Sequence, residues 1–322
     1  MPDPKHSLEW LDITRTAGGQ PLRVAAHVFR GVEDGPRVTI TAGIHGDELP
    51  PIVIARQVTE QLDSLPVRGQ VTVIPLCNPP GFESFTRNTP TDMQNLNRVF
   101  PGDLDTWLSD QLAKKLHEYI APRTDVLLDL HAGGSIPTVD YVYVLNAPEV
   151  SRAFLFPTLY KGKSYQGTLG TELIKQNGTK VVVAEIGGGG QLDAQYIRRG
   201  TAGVMNALKV IGSIPGDPQP APAQTLLHDM KIVRPAFGGI LMPRVDATQL
   251  GQAVDRGTLL GTMVDPQTFE ELEEFRAPFD KTQLVLVRPT PSRTHAGDYA
   301  YMLGDLSTAE QLESQQLARQ DG

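Results

Sequence analysis

One cysteine in 322 residues, Cys77, excludes an intrachain disulfide. Standing at the end of the apolar run 71–76, it reads as a buried, inert thiol. No apolar stretch reaches the length of about 18 residues that a spanning helix needs. No basic segment followed by an apolar one opens the chain either, so the expected address is the cytoplasm, with no membrane partner. Positive charge is also short: 29 Lys and Arg stand against 37 Asp and Glu, a net charge of −8. Neither nucleic acid nor an anionic lipid surface is drawn to such a chain on average, although a local basic pocket is compatible with it.

What is present describes an ordinary globular protein, with 40% hydrophobic and 20% charged residues, long enough for one large and one small domain. Residues 8–13 and 22–29 read as entry strands. Continuous apolar runs at 38–42, 71–76, 126–130, 141–145 and 181–184 read as buried strands. Helical periodicity at 52–62, 107–120, 169–176 and 196–211 separates them. Strands alternating with helices predict an α/β fold: a mostly parallel mixed sheet flanked by helices. The proline-rich stretch 215–222 reads as a linker. Beyond it, short glycine-punctuated runs at 236–240, 252–257, 259–264, 275–280, 284–288 and 299–303 predict a small all-β module, with a polar helical or disordered tail from 307. The division expected is 1–214 and 215–322.

Chemistry gathers at strand ends, where open α/β sheets place their ligands. The first strand runs into Gly43-Ile44-His45-Gly46-Asp47-Glu48, and Pro50-Pro51 then open a helix. His45 and Glu48 are close enough to converge on one point beyond the strand. The run 126–130 delivers His131, and 181–184 delivers Glu185 before four glycines. Two His and one carboxylate with a fourth position open form the ligand set of a hydrolytic zinc site, here His45, Glu48 and His131. Such a site needs a base to take and return a proton, and Glu185 is the candidate. The long loop between the second strand and the next helix carries Arg87 and the pair Asn97-Arg98, whose guanidinium groups suit carboxylates and developing oxyanions.

Taken together, "GIHGDE", "NLNRVFPG", "DLHAGG" and "AEIGGGG" resemble, in this order, the succinylglutamate desuccinylase/aspartoacylase family, part of the wider zinc carboxypeptidase-like group. The resemblance covers roughly residues 38–211. It implies one zinc ion per subunit held by His45, Glu48 and His131, with Glu185 as general base and acid. It implies that Arg87 polarises the scissile carbonyl and that Asn97 and Arg98 hold a substrate carboxylate. The expected reaction is zinc-dependent hydrolysis of a linear amide that is not a peptide bond, deacylating a small N-acyl amino acid-like substrate. Members of the family often associate into homo-oligomers, and the glycine-punctuated tail resembles their lipoyl-type β barrel. Lys281 is read as a surface residue, not a carrier lysine.

Other readings stay open at this point. A metallocarboxypeptidase for short peptides or peptidoglycan stems has the same chemistry, and a binding protein with a vestigial metal site is the alternative without it. Tyr165, Tyr299 and Tyr301 compete for an assisting role. Asp92 is expected to orient a loop arginine, while His117, His228 and His295 are expected in core or surface positions. The pocket wall is expected from 133–139 and 187–194.

Overall fold

The computed structural model describes residues 6–188, 190 and 192–320. Gly189 and Gln191, within the expected pocket wall after Glu185, lie outside the described residues. In chain order the first part contains β1 (His6–Arg15), β2 (Pro21–Arg30), β3 (Arg37–Thr41), α1 (Leu49–Leu62), β4 (Gln70–Ile74), α2 (Pro79–Glu83) and α3 (Leu108–Ile120). It continues with β5 (Val126–His131), β6 (Thr138–Val144), α4 (Pro148–Arg152), β7 (Thr158–Tyr160), α5 (Leu169–Asn177), β8 (Lys180–Gly188) and α6 (Ala194–Ile211).

The parallel block is β4-β3-β5-β8, and the sheet grows antiparallel at both sides, through β2 and β1 on one and β6 on the other. This is narrower than the mostly parallel sheet expected. A parallel neighbour needs a crossover of a dozen or more residues, and the segments 16–20 and 132–137 are too short to supply one. Successive residues of a buried strand serve opposite faces. Ile40 and Leu128 meet Ile54 and Val58 of α1 and Val204 and Leu208 of α6, whereas Leu127 and Val181 meet Leu112 and Leu116 of α3 and Leu173 of α5. Each such buried leucine contributes roughly 1.5–3 kcal/mol, so both layers are anchored to the strands that carry the site.

Two short elements depart from the sequence reading. The sequence reading places no helix at 79–83, yet Pro79 and Pro80 begin α2, because the first helical turn needs no proline N–H and Asn78 Oδ1 accepts Gly81 N at 3.1 Å. Among the described residues Asp92 orients no arginine. Its carboxylate accepts Ser109 N at 2.7 Å and Ser109 Oγ at 2.8 Å, so it caps α3 from across the loop.

The remaining strands are β9 (Gln224–Leu227), β10 (Met230–Val233), β11 (Gly239–Pro243), β12 (Ala253–Asp255), β13 (Leu259–Val264), β14 (Glu271–Arg276), β15 (Lys281–Val287), β16 (Ser292–Thr294), β17 (Tyr301–Asp305) and β18 (Glu310–Leu312). A four-stranded antiparallel sheet, β14-β13-β11-β16, has its own core around Leu241, Leu260, Met263, Phe275 and Tyr301. β15, β17 and β10 instead extend the large sheet, because Leu286 and Val287 pair with Val139 and Thr138 of β6. Val139 and Tyr141 are buried there against Leu227, Val285 and Met302. Among its described residues the tail holds no helix: β18 pairs with β9, Gln315 bridges to Ala221 and Leu317 is buried. Among the described residues no helix is long and apolar enough to cross a membrane.

Candidate active site

The site sits past the carboxyl ends of the parallel strands. After β3 the chain turns at Gly43, φ 60°, and passes Gly46 so close to α2 that a Cβ there would stand 1.9 Å from the Gly81 carbonyl carbon. That approach admits only glycine. It folds His45 and Glu48 back over the end of β3, with Pro50 and Pro51 in the first turn of α1. Glu48 stands at the N-terminus of α1, where the helix dipole favours a carboxylate, but its side chain makes no cap and turns toward His45 and His131.

His45, Glu48 and His131 are all buried, and one ligand atom from each lies within 4.8 Å of the others. The hydrogen-bond partners fix both imidazole tautomers. Asn95 Oδ1 accepts Asn97 N at 2.9 Å, so it is the amide oxygen, and His45 Nε2 must donate to it at 3.1 Å. His131 Nε2 faces both Asp129 Oδ2 at 3.1 Å and the Asn97 amide nitrogen at 3.3 Å; the shorter contact to a charged acceptor favours donation to Asp129, whose Oδ1 accepts from Thr41 Oγ1 at 2.7 Å. Each Nδ1 then carries a lone pair facing Glu48, at 2.7 Å from Oε1 for His45 and 3.0 Å from Oε2 for His131. Lone pair meets carboxylate oxygen at both contacts, so each ring must take a second proton or the three groups must share a cation. A second proton is disfavoured on His45, which burial and the Arg87 charge push down to about 4. Burial also works against charge on His131, but Asp129 and Glu48 outweigh it and raise that imidazole well above its ordinary range. For Glu48, burial is overcome by the two histidines, and its carboxyl is held well below the usual range. The donor set therefore fits a divalent metal of the kind that accepts nitrogen and oxygen ligands.

Glu185 lies on β8 directly opposite His131 of β5 and Tyr141 of β6. Among the described residues its carboxylate has no hydrogen-bond partner, and it opens into the cavity. Burial raises its pKa to about 7, with His131 opposing the shift. Behind it, Gly187 at φ 73° lets β8 bend against Tyr196, whose ring would lie 3.1 Å from a Cβ.

Arg87, Asn97 and Arg98 all reach the cavity, but they are engaged differently. Arg87 Nη1 donates to Glu48 Oε1 at 2.9 Å while the side chain is 48% exposed, so it already sits on the metal-competent carboxylate. Asn97 is buried, with Oδ1 accepting Leu169 N at 3.0 Å and Nδ2 3.3 Å from His131 Nε2. Arg98 is exposed. Its Nη1 donates to the Asn97 carbonyl at 2.7 Å, and its guanidinium lies 5.3 Å from the Tyr165 ring centroid.

The cavity has two lobes, both bordered by Arg87, Arg98, Tyr143, Tyr165 and Glu185. The inner lobe adds His45, Asn97, Asp129, His131 and Lys163. The outer lobe is bounded on its far side by residues of the C-terminal strands. Of the expected walls, 133–139 borders the outer lobe, whereas no described residue of 187–194 borders either lobe.

Of the tyrosines, Tyr165 borders both lobes and Tyr299 the outer one. Tyr301 is excluded from the cavity, being buried with its hydroxyl donating to Leu260 O at 2.8 Å. His117 is buried on α3, His228 lies 3.8 Å from Glu310, and His295 borders the outer lobe. Cys77 is buried and free, and burial raises its thiol pKa. Lys281 is exposed and bonds Asp255 at 2.5 Å.

Sequence reasoning missed Asp129 and Asn95, which set the tautomers. Asp129 was legible: two residues before His131 on one strand, it shares that residue's face. Asn95 acts from an irregular loop, where spacing carries no direction.

Three comparisons bear on this geometry. The family model for the succinylglutamate desuccinylase/aspartoacylase catalytic domain matches residues 34–211. The N-alpha-acetyl-L-2,4-diaminobutyric acid deacetylase of Halomonas elongata is 27% identical over 309 residues, covering 90% of this chain and 88% of that one. An aspartoacylase family protein from Mesorhizobium loti superposes with a TM-score of 0.79 at 25% identity, covering 97% of this chain and 96% of the other. The product-bound ectoine utilization protein EutE (DoeB) of Ruegeria pomeroyi shares the fold, with a TM-score of 0.80 at 23% identity over 93% of this chain and 94% of that one.

Proposed function

The chain belongs to the succinylglutamate desuccinylase/aspartoacylase family, and from that premise we propose that it is a zinc-dependent amidohydrolase that removes the acyl group from a small N-acyl amino acid. The observation that carries this reading is the facing of two imidazole lone pairs and one carboxylate around a single point, with Glu185 on the adjoining strand. His45, Glu48 and His131 would hold the metal. The chemistry zinc supplies in such a site is Lewis-acid activation of water and of the acyl carbonyl.

The protein's own groups do the rest. Glu185, its carboxylate free of hydrogen bonds among the described residues and its pKa raised to about 7, takes a proton from the attacking water and returns it to the leaving nitrogen. Arg87 donates to the carbonyl oxygen as negative charge develops there. Asn97 and Arg98 hold the carboxylate of the amino acid in the inner lobe, which fixes the amide relative to Glu185. Asn95 and Asp129 keep the two imidazoles in the ligating tautomer. In this reading residues 1–214 carry the catalytic machinery and 215–322 close the outer lobe.

The diaminobutyrate derivative named for the Halomonas relative supports an N-acyl amino acid as the substrate class. The test is amine release from N-acetyl, N-succinyl and longer N-acyl amino acids beside short peptides, with and without a chelator. Chelator-sensitive release from an acyl series is the expected result. Release from peptides alone would replace the deacylase with a carboxypeptidase.

A further inference from the structure

The far wall of the outer lobe is built from C-terminal residues to which the deacylase reading gives no chemistry. Arg288 follows β15 directly, Arg293 lies on β16, and Arg234 and Tyr299 flank them. Arg288 is only 5% exposed, and the ion pair it makes among the described residues, with Asp298, is long. Its Nε donates to Tyr299 O at 2.7 Å, and Nη1 reaches Ser292 Oγ and Arg293 O only at 3.4 Å. The Asp298 carboxylate lies 3.7 Å from Nη2. A buried charge held this loosely is costly until an anion completes it. Burial accordingly pulls its pKa below the ordinary range, with Asp298 opposing. Arg293 is exposed and has no ion pair among the described residues, and Arg234 lies 4.4 Å from the Tyr299 ring centroid. Five arginines border this lobe against Asp47, Glu185 and Asp298, in a chain whose net charge is −8. A concave site of reversed sign concentrates anions.

We infer that the outer lobe seats a carboxylate at the far end of the substrate's acyl group, with Arg288 and Arg293 as specificity-determining residues. The inference rests on the proposed function, which assigns the amino-acid carboxylate to Asn97 and Arg98 in the inner lobe and so leaves the outer lobe to the acyl side. Strand register gives the scale. Val287 pairs with Thr138, and Tyr141 pairs with Glu185, so Arg288 stands four residues along and two strands across from Glu185. Ideal strand spacings make that roughly 16 Å between Cα atoms. An acetyl group ends far short of this wall, whereas a dicarboxylic acyl chain extends toward it.

The experiment compares N-succinyl-, N-adipoyl- and N-suberoyl-L-alanine with the N-butanoyl, N-hexanoyl and N-octanoyl amides of matched length. Binding to zinc-loaded Glu185→Gln protein is measured by calorimetry, and kcat/KM is measured on the unsubstituted enzyme. The adipoyl or suberoyl amide is expected to bind about tenfold or more tightly than its uncharged match, the scale of a charge-assisted hydrogen bond. That ratio should fall toward one on adding Arg288→Met or Arg293→Ala, and Arg288→Lys should restore part of it. If Arg288→Met fails to fold by thermal melting, Arg293→Ala, at an exposed position, carries the test. Equal binding of charged and uncharged chains at every length, or a ratio that survives both substitutions, overturns the inference even if N-acetyl amino acids are hydrolysed. A charge preference lost in the variants supports the outer-lobe assignment, and absence of any hydrolysis beside it would count against the deacylase reading alone.

Discussion

Glu185 illustrates how one side chain's environment sets its chemistry. A carboxyl raised by burial to about 7 is ionised, and so active as a base, only at the upper end of its titration. Activity should therefore be full at alkaline pH and fall as pH drops. The acid limb of kcat/KM is expected between the ordinary 4.5 and about 7. A profile flat down to pH 4 would remove Glu185 from the proton transfer. Asp129 acts one bond further out. Asp129→Asn leaves the fold but no longer holds His131 as firmly in the ligating tautomer, so metal affinity should drop roughly 10- to 100-fold in a chelator competition. Unchanged affinity would mean that Asp129 serves Thr41 and the strand instead. His45, Glu48 and His131 were legible as candidates because they follow or close a buried strand, and Glu185 because it ends the apolar run 181–184 although β8 itself continues to Gly188, so hydrophobic patterning marks all four. Arg87 and Asn97 were legible only as residue types in a loop. Their present partners, Glu48 for one and Leu169 for the other, depend on how that loop folds back.

Elements show the same division. The buried strands and main helices followed from continuous apolar runs and helical periodicity, since both record burial along a single segment. The α2 helix and the capping of α3 did not, because each depends on contacts made through the loop. Asp92 caps α3 across 17 positions of sequence, a relation that no local pattern contains. Asp92→Ala should cost about 1 kcal/mol in urea unfolding and leave activity per folded molecule unchanged. A selective loss of turnover at unaltered stability would restore the arginine-orienting role expected from the sequence.

Across the whole molecule, the least legible feature was the continuity of the large sheet into the C-terminal strands. It depends on β6 pairing with β15, across more than a hundred residues of chain, and nothing in either strand's composition names its partner. That pairing brings the C-terminal arginines to a cavity whose reacting groups all come from the first part of the chain. The central claim is that His45, Glu48 and His131 hold a catalytic zinc served by Glu185. It is tested most directly by measuring zinc content and N-acyl amino acid turnover together in the unsubstituted protein, Glu185→Gln and His131→Ala. The account predicts about one zinc per chain and turnover in the first. Glu185→Gln should keep its zinc with turnover reduced by roughly 10²- to 10⁴-fold, and His131→Ala should lose both. A Glu185→Gln protein that still turns over substrate at the full rate, or a His131→Ala protein with full zinc content, would contradict it.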